Sequence, residues 1–117
     1  MGLTFIEATV TGFSGKQRQV QFLVDSGASY TLLPLDVWQD LKLEPKRKVT
    51  FTLADGTHIE RNVSECHISL EGSDGHTPVI LGEVDDDPLL GIVTLENLGL
   101  ILDPFKRRLR TMRMRLS

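Results

Sequence analysis

Phe22-Leu23-Val24-Asp25-Ser26-Gly27-Ala28-Ser29 is the stretch on which the reading of this sequence turns. A run of apolar residues suited to a strand ends abruptly in an acid, a small hydroxyl residue and a glycine. Asp25 is therefore expected at the end of a buried strand, where loss of water disfavours its charged form. Gly27 allows neighbouring backbone to come close, and Ser26 can hydrogen-bond within its own loop. These are the properties of a tuned carboxylate. Asp, Ser and Gly are also ordinary turn formers, so the tripeptide alone decides nothing and its setting must.

Upstream, Leu3 to Val10 and Gln19 to Val24 flank the turn signal Gly12-Phe13-Ser14-Gly15 and predict an opening β-hairpin. Downstream, Tyr30 to Leu33 reads as a short strand stopped by Pro34, and Val37, Trp38 and Leu41 then share one face of a short helix. Val49 to Leu53 and Thr57 to Val63 flank Ala54-Asp55-Gly56, a strong hairpin signal with an exposed tip. Strands are expected at Cys66 to Leu70 and Pro78 to Leu81, separated by a loop over residues 71–75, with an acidic loop over 83–88. After Leu89-Leu90-Gly91, a helix over Ile92 to Leu98 should end at Gly99, and Leu100-Ile101-Leu102 reads as a buried strand.

The length of 117 residues fits one domain, which suffices for a core but not for two lobes. Hydrophobic residues at 40% and charged residues at 25% describe an ordinary soluble chain, not a disordered one. A formal net charge of -3 argues against general phosphate affinity, so nucleic acid is not an expected partner. Cys66 is the single cysteine, so no intrachain disulfide can form, and no Cys/His cluster has zinc-site spacing. Neither a signal peptide nor a membrane-spanning run is visible, and the expectation is a cytoplasmic protein without membrane partners.

In order, Leu23-Val24-Asp25-Ser26-Gly27-Ala28-Ser29, Leu32-Leu33-Pro34, the Ala54-Asp55-Gly56 hairpin and Leu89-Leu90-Gly91 leading to Leu98-Gly99-Leu100 resemble the retropepsin-like aspartic proteases. The resemblance covers residues 3–105 and is closest to small cellular or bacterial members. It implies a mostly β fold: an acid protease β-barrel domain with one or two short helices, active as a two-fold symmetric homodimer. Residues 1–117 would form that single domain, with a flap hairpin at about 49–63 and a basic C-terminal strand or tail at about 106–117.

By the same resemblance Asp25 is the catalytic aspartate and Ser26 and Gly27 complete its loop. Many members carry threonine where Ser26 stands, and serine keeps the hydroxyl. Ala28, Ser29 and Tyr30 would contact substrate from below, and Ala54, Asp55, Gly56, Thr57 and His58 from the flap. Leu89, Leu90 and Gly91 would brace the active-site loop; Ile80-Leu81-Gly82 is a competing match, disfavoured because no helical pattern follows it. Two Asp25 carboxylates close together cannot both ionise and would share one proton, activating a water against an extended peptide or protein substrate. No metal or cofactor is required. The other reading is a dimeric peptide-binding or scaffold module of the same fold with weak or no turnover.

The remaining features have plainer readings. His58 is either a substrate contact or a polar surface residue, His67 and His76 have no assigned role, and Trp38 is core. Residues 106–117 hold six of the thirteen basic residues. From Arg110 onward they alternate with apolar positions, which is either an interface strand carrying Met112, Met114 and Leu116 or a solvated tail.

Overall fold

The computed structural model describes residues 3–25, 27–70, 72–103 and 105–112. Alternating burial along Phe5–Thr11 (β1) and Gln17–Val24 (β2) places Ala8, Val10, Val20 and Phe22 on one face, and the two strands pair antiparallel from Phe5↔Leu23 to Thr11↔Gln17. Thr31–Leu33 (β3) follows the Asp25 loop and leads through Pro34 into the one-and-a-half-turn helix Leu35–Asp40 (α1). Val37 and Leu41 are buried, and Trp38 packs against the core with its indole N–H donating to the Gly82 carbonyl at 2.8 Å. Trp38 is thus a packing residue.

Arg47–Thr52 (β4) pairs with the first half of His58–Leu70 (β5), and the second half of β5 pairs with Ser73–Leu81 (β6). The two strands expected over 57–63 and 66–70 are one strand of 13 residues. The alternation misleads there because Val63 and Ser64 are buried consecutively, which shifts the inward phase by one residue. At Val63 the strand leaves the hairpin with β4 and enters the barrel with β6. The expected loop over 71–75 also contracts: β6 begins at Ser73, and Gly72 takes the turn with φ of 76°.

Leu89–Leu90 (β7) lies between β2, which it meets in parallel, and β3. Ile92–Asn97 (α2) follows, and Gly99 ends it with φ of 69°, as the sequence predicts. The sheet order is β1-β2-β7-β3-β6-β5-β4, and β1 also pairs with β5 through Thr9↔Ser69 to Thr11↔His67. Six strands therefore close into a barrel, while β4 extends β5 outward as the hairpin arm. Phe22, Leu33, Ile68, Val79 and Leu90 fill the interior and are completely buried. Each contributes roughly 1.5–3 kcal/mol of hydrophobic stabilisation.

Leu100–Asp103 (β8) and Arg108–Thr111 (β9) form a separate antiparallel hairpin. The Asp103 carboxylate accepts from the amides of Phe105 and Lys106 at 3.1 and 3.2 Å, and Met112 N–H donates to Gly99 at 2.7 Å. Basic residues from 106 to 111 thus include a strand, and residues 113–117, with Met114 and Leu116, lie outside the described residues.

Candidate active site

Asp25 stands where β2 runs out of the barrel. Its neighbours Leu23 and Val24 pair with Leu89 and Leu90, and its own N–H donates to the Leu90 carbonyl at 3.2 Å. The chain then turns: Ala28 N–H donates to the Asp25 carbonyl at 3.0 Å, and Gly27 N–H donates to Asp25 Oδ1 at 2.9 Å. A Cβ on residue 27 would lie 3.2 Å from that carboxylate oxygen, so glycine keeps the turn tight. The expected burial of Asp25 is not found within one chain. Its side chain is half-buried, because β2 ends and the loop projects from the rim of the barrel. Ser26 lies outside the described residues.

The loop is held from below by the segment after β7. Ala28 and Ser29 carbonyls accept from the amides of Ile92 and Val93 at 2.9 and 3.0 Å, which occupies donors that the first turn of α2 would otherwise leave unpaired. Gly91 approaches so closely that a Cβ there would lie 2.5 Å from the Tyr30 carbonyl carbon and 2.7 Å from the Ser29 oxygen. Only glycine fits. Gly82, the competing match, is equally confined but serves another place: its N–H donates to the Leu33 carbonyl at 2.8 Å and its own carbonyl holds Trp38.

Above the loop, a cleft of about 460 Å³ separates the active-site segment from the β4–β5 arm. Gly27, Ala28, Ser29 and Tyr30 line it from the loop side. Phe51, Leu53 and Ile59 line it from the arm, Leu32, Ile80 and Leu89 from the barrel. Arg61 and Asp86 supply charge; Arg61 donates to Glu83 at 3.2 Å, and the Asp86 carboxylate accepts from Glu83 N–H at 2.6 Å. Tyr30 connects the two walls: its ring meets Phe51 edge-on at 6.1 Å between centroids, and its hydroxyl accepts from Arg47 at 3.2 Å.

The flap-tip residues expected to contact substrate do not line this cleft. Ala54, Asp55, Gly56, Thr57 and His58 are exposed at the end of the arm. Asp55 is occupied with its own turn: Oδ1 accepts from the Thr57 hydroxyl at 2.6 Å and from the Thr57 amide at 2.9 Å, and these bonds hold its carboxyl below the ordinary range. Gly56 takes φ of 88°, and His58 Nδ1 sits 3.0 Å from the Thr52 hydroxyl. Sequence reasoning overlooked Phe51, Ile59 and Arg61, although their two-residue spacing on paired strands signals a shared face. It also overlooked Thr31, Thr77 and Thr94, three buried threonines under the loop whose sequence gives no hint of convergence.

The family model described as "gag-polyprotein putative aspartyl protease" matches residues 11–97, which run from the end of β1 through the Asp25 loop and the arm to α2. The chain belongs to this aspartyl protease family. Among solved structures, EIAV protease complexed with the inhibitor HBY-793 is similar with a TM-score of 0.64 at 19% identity, covering 87% of this chain and 93% of that one. Simian foamy virus (mac) protease, solved in solution, is similar with a TM-score of 0.56 at 18% identity, covering 79% and 91%. The chain thus shares the retroviral protease fold across most of its length. No curated protein sequence matches the chain. Among the described residues there is no group of three or more His, Cys, Asp or Glu placed to hold a metal ion, and no helix long and apolar enough to cross a membrane.

Proposed function

We propose that the chain is one half of an aspartic endopeptidase, and that two copies related by a two-fold axis bring two Asp25 carboxylates together. The observation that carries this reading is the anchorage of one half-exposed aspartate at the rim of the barrel, beside a peptide-sized cleft under a hairpin arm. A single Asp25 offers one carboxylate, and acid–base hydrolysis by this route needs two in different protonation states. Two like charges at short range are unfavourable, so the proposed pair shares one proton.

In the dimer one carboxylate takes a proton from a water as the water oxygen attacks the scissile carbonyl carbon. The partner carboxyl gives its proton to the carbonyl oxygen. The tetrahedral species collapses when the first carboxyl passes the water's proton to the nitrogen, the C–N bond breaks and a hydroxyl proton returns to the partner carboxylate, which yields an amine and a carboxylic acid without a covalent enzyme intermediate. An extended peptide or protein substrate would lie between the loop and the arm, with side chains alternating into the cleft formed by Tyr30, Phe51 and Leu89. Ser29 and Tyr30 would meet it from the loop side, and Thr57 and His58 only when the arm closes.

Incubation with a diverse peptide library between mildly acidic and neutral pH tests this function. Cleavage should disappear in Asp25→Asn, and activity per chain should rise with protein concentration through the dimerisation range. Cleavage that persists in the variant would refute the mechanism, and a concentration-independent rate in a demonstrated monomer would refute the two-chain site. A folded dimer that binds peptides but never cleaves them would establish the scaffold reading instead.

A further inference from the structure

Under the Asp25 loop, Thr31, Thr94 and Thr77 are 0%, 0% and 2% exposed and come from three different elements, β3, α2 and β6. Gly91 N–H donates to Thr31 Oγ1 at 3.0 Å. Thr31 Oγ1 lies 2.5 Å from Thr94 Oγ1, Thr94 Oγ1 lies 2.8 Å from Thr77 Oγ1, and Thr77 Oγ1 lies 3.4 Å from the Pro78 carbonyl.

Proton counting gives this series a direction. A hydroxyl has one proton, and an amide can only donate. Thr31 Oγ1 therefore accepts from Gly91 and places its own proton on Thr94; Thr94 donates to Thr77, and Thr77 donates to the Pro78 carbonyl. In the opposite order Thr31 would accept twice, and its proton would have no acceptor among these contacts. An unsatisfied buried donor is unfavourable enough to decide between the two.

The start of the series explains what it does. The Gly91 N–H and the Leu90 carbonyl belong to one planar peptide unit. The oxygen of that unit accepts from Asp25 N–H at 3.2 Å, and its N–H is held by Thr31. We infer that the hydroxyl chain Thr31, Thr94, Thr77 fixes the rotation of the Leu90–Gly91 peptide plane and through it sets the position of Asp25. These threonines are positioning residues, not catalytic ones. The consequence for turnover rests on the proposed Asp25 chemistry, whereas the consequence for the loop does not.

Thr94→Val removes the acceptor for Thr31 with little change of shape, Thr94→Ser restores the hydroxyl, and Ser64→Ala is the control, since Ser64 Oγ is buried without a hydrogen-bond partner. Amide exchange measured by NMR on the full chain should accelerate about tenfold or more at Asp25 and Gly91 in Thr94→Val, with the β1–β2 amides unchanged and serine restoring protection. On a peptide that the wild type cleaves, kcat should fall roughly tenfold with KM within about twofold, as expected for a displaced reacting group. Acceleration spread evenly over the barrel, an equal effect from Ser64→Ala, or failure of serine to rescue would overturn the inference. If the wild type shows no Asp25-dependent cleavage, the proposed activity fails and the exchange pattern alone decides. Should Thr94→Val not fold, Thr77→Val interrupts the chain one link further from Gly91 and is read in the same way.

Discussion

The Asp25 loop and the Asp55 hairpin tip are built from the same local device and are anchored in opposite ways. In each, Oδ1 accepts from the amide two residues on at 2.9 Å, Gly27 in one case and Thr57 in the other. At the hairpin tip the surrounding bonds are also local: Leu53 N–H donates to Thr57 at 2.8 Å and Gly56 N–H to Leu53 at 2.9 Å. Around Asp25 the local bond from Ala28 N–H is joined by bonds from far along the chain, through Leu90, Ile92 and Val93. A turn closed on itself keeps its shape but not its place, whereas a turn bonded to a barrel keeps both. Precise placement is what acid–base chemistry needs, and freedom of place is what a covering arm needs.

The strongest test of this contrast exchanges each carboxylate for an amide. Asp25→Asn should lower cleavage by about 10³-fold or more with the thermal transition kept within a few degrees, as expected for loss of an acid–base group. Asp55→Asn should lower it by less than about tenfold. Rates on one peptide, with melting followed by circular dichroism, check both. Equal losses would remove the distinction between the two aspartates.

The glycines of the two regions should differ next. Gly91→Ala places a Cβ 2.5 Å from the Tyr30 carbonyl carbon, and backbone there cannot yield. A loss of about 3 kcal/mol or more is expected in urea denaturation, at the upper end for overpacking. Gly56→Ala meets no atom within 4 Å and bears only its φ of 88°, so about 1–2 kcal/mol is expected, confined to the arm.

The hairpin tip should also report pH on its own. The folded Asp55 pKa is lowered, first by the Thr57 hydroxyl and then by the Thr57 amide. A depressed carboxylate pKa means that these bonds hold the turn fully above the ordinary value of 3.8 and are lost as pH falls through the lower folded value. The Thr57 amide followed by NMR should therefore release below pH 3.8, and Thr57→Val should move that midpoint upward. A midpoint unmoved by Thr57→Val would show that the hydroxyl does not hold Asp55.

The smallest effect is expected where the two regions touch. Tyr30→Phe removes the 3.2 Å bond from Arg47 but keeps the edge contact with Phe51. That bond is exposed, so KM should change by less than about threefold, which corresponds to the usual modest worth of a single hydrogen bond. A larger change would mean that Tyr30 couples the loop to the arm more tightly than their contacts imply.

The hairpins, both helices and the apolar approach to Asp25 were legible in residue order because they depend on local periodicity and turn chemistry. Gly99 at φ of 69° and the Ile92–Asn97 helix follow from signals within a few residues. Legibility failed where a strand changes partners without a break, as at Val63 and Ser64, since a shift in inward phase looks like an end. At the tip of the arm the sequence showed the Asp-Gly turn but not that the Asp55 carboxylate and the Thr57 hydroxyl and amide satisfy each other.

By itself the sequence determined the mostly β architecture, the place of Asp25 at a strand end, and the glycine-bearing turns that let backbones approach. Only the tertiary structure decided that Asp25 stays half-exposed in one chain, that Phe51 and Ile59 rather than the tip face the cleft, and that Thr31, Thr77 and Thr94 meet beneath the loop. Local order depends on neighbours in the chain, which a sequence displays. Burial and hydrogen-bond partnership depend on residues as distant in the chain as Asp25 and Leu90, which closure of the barrel alone brings together.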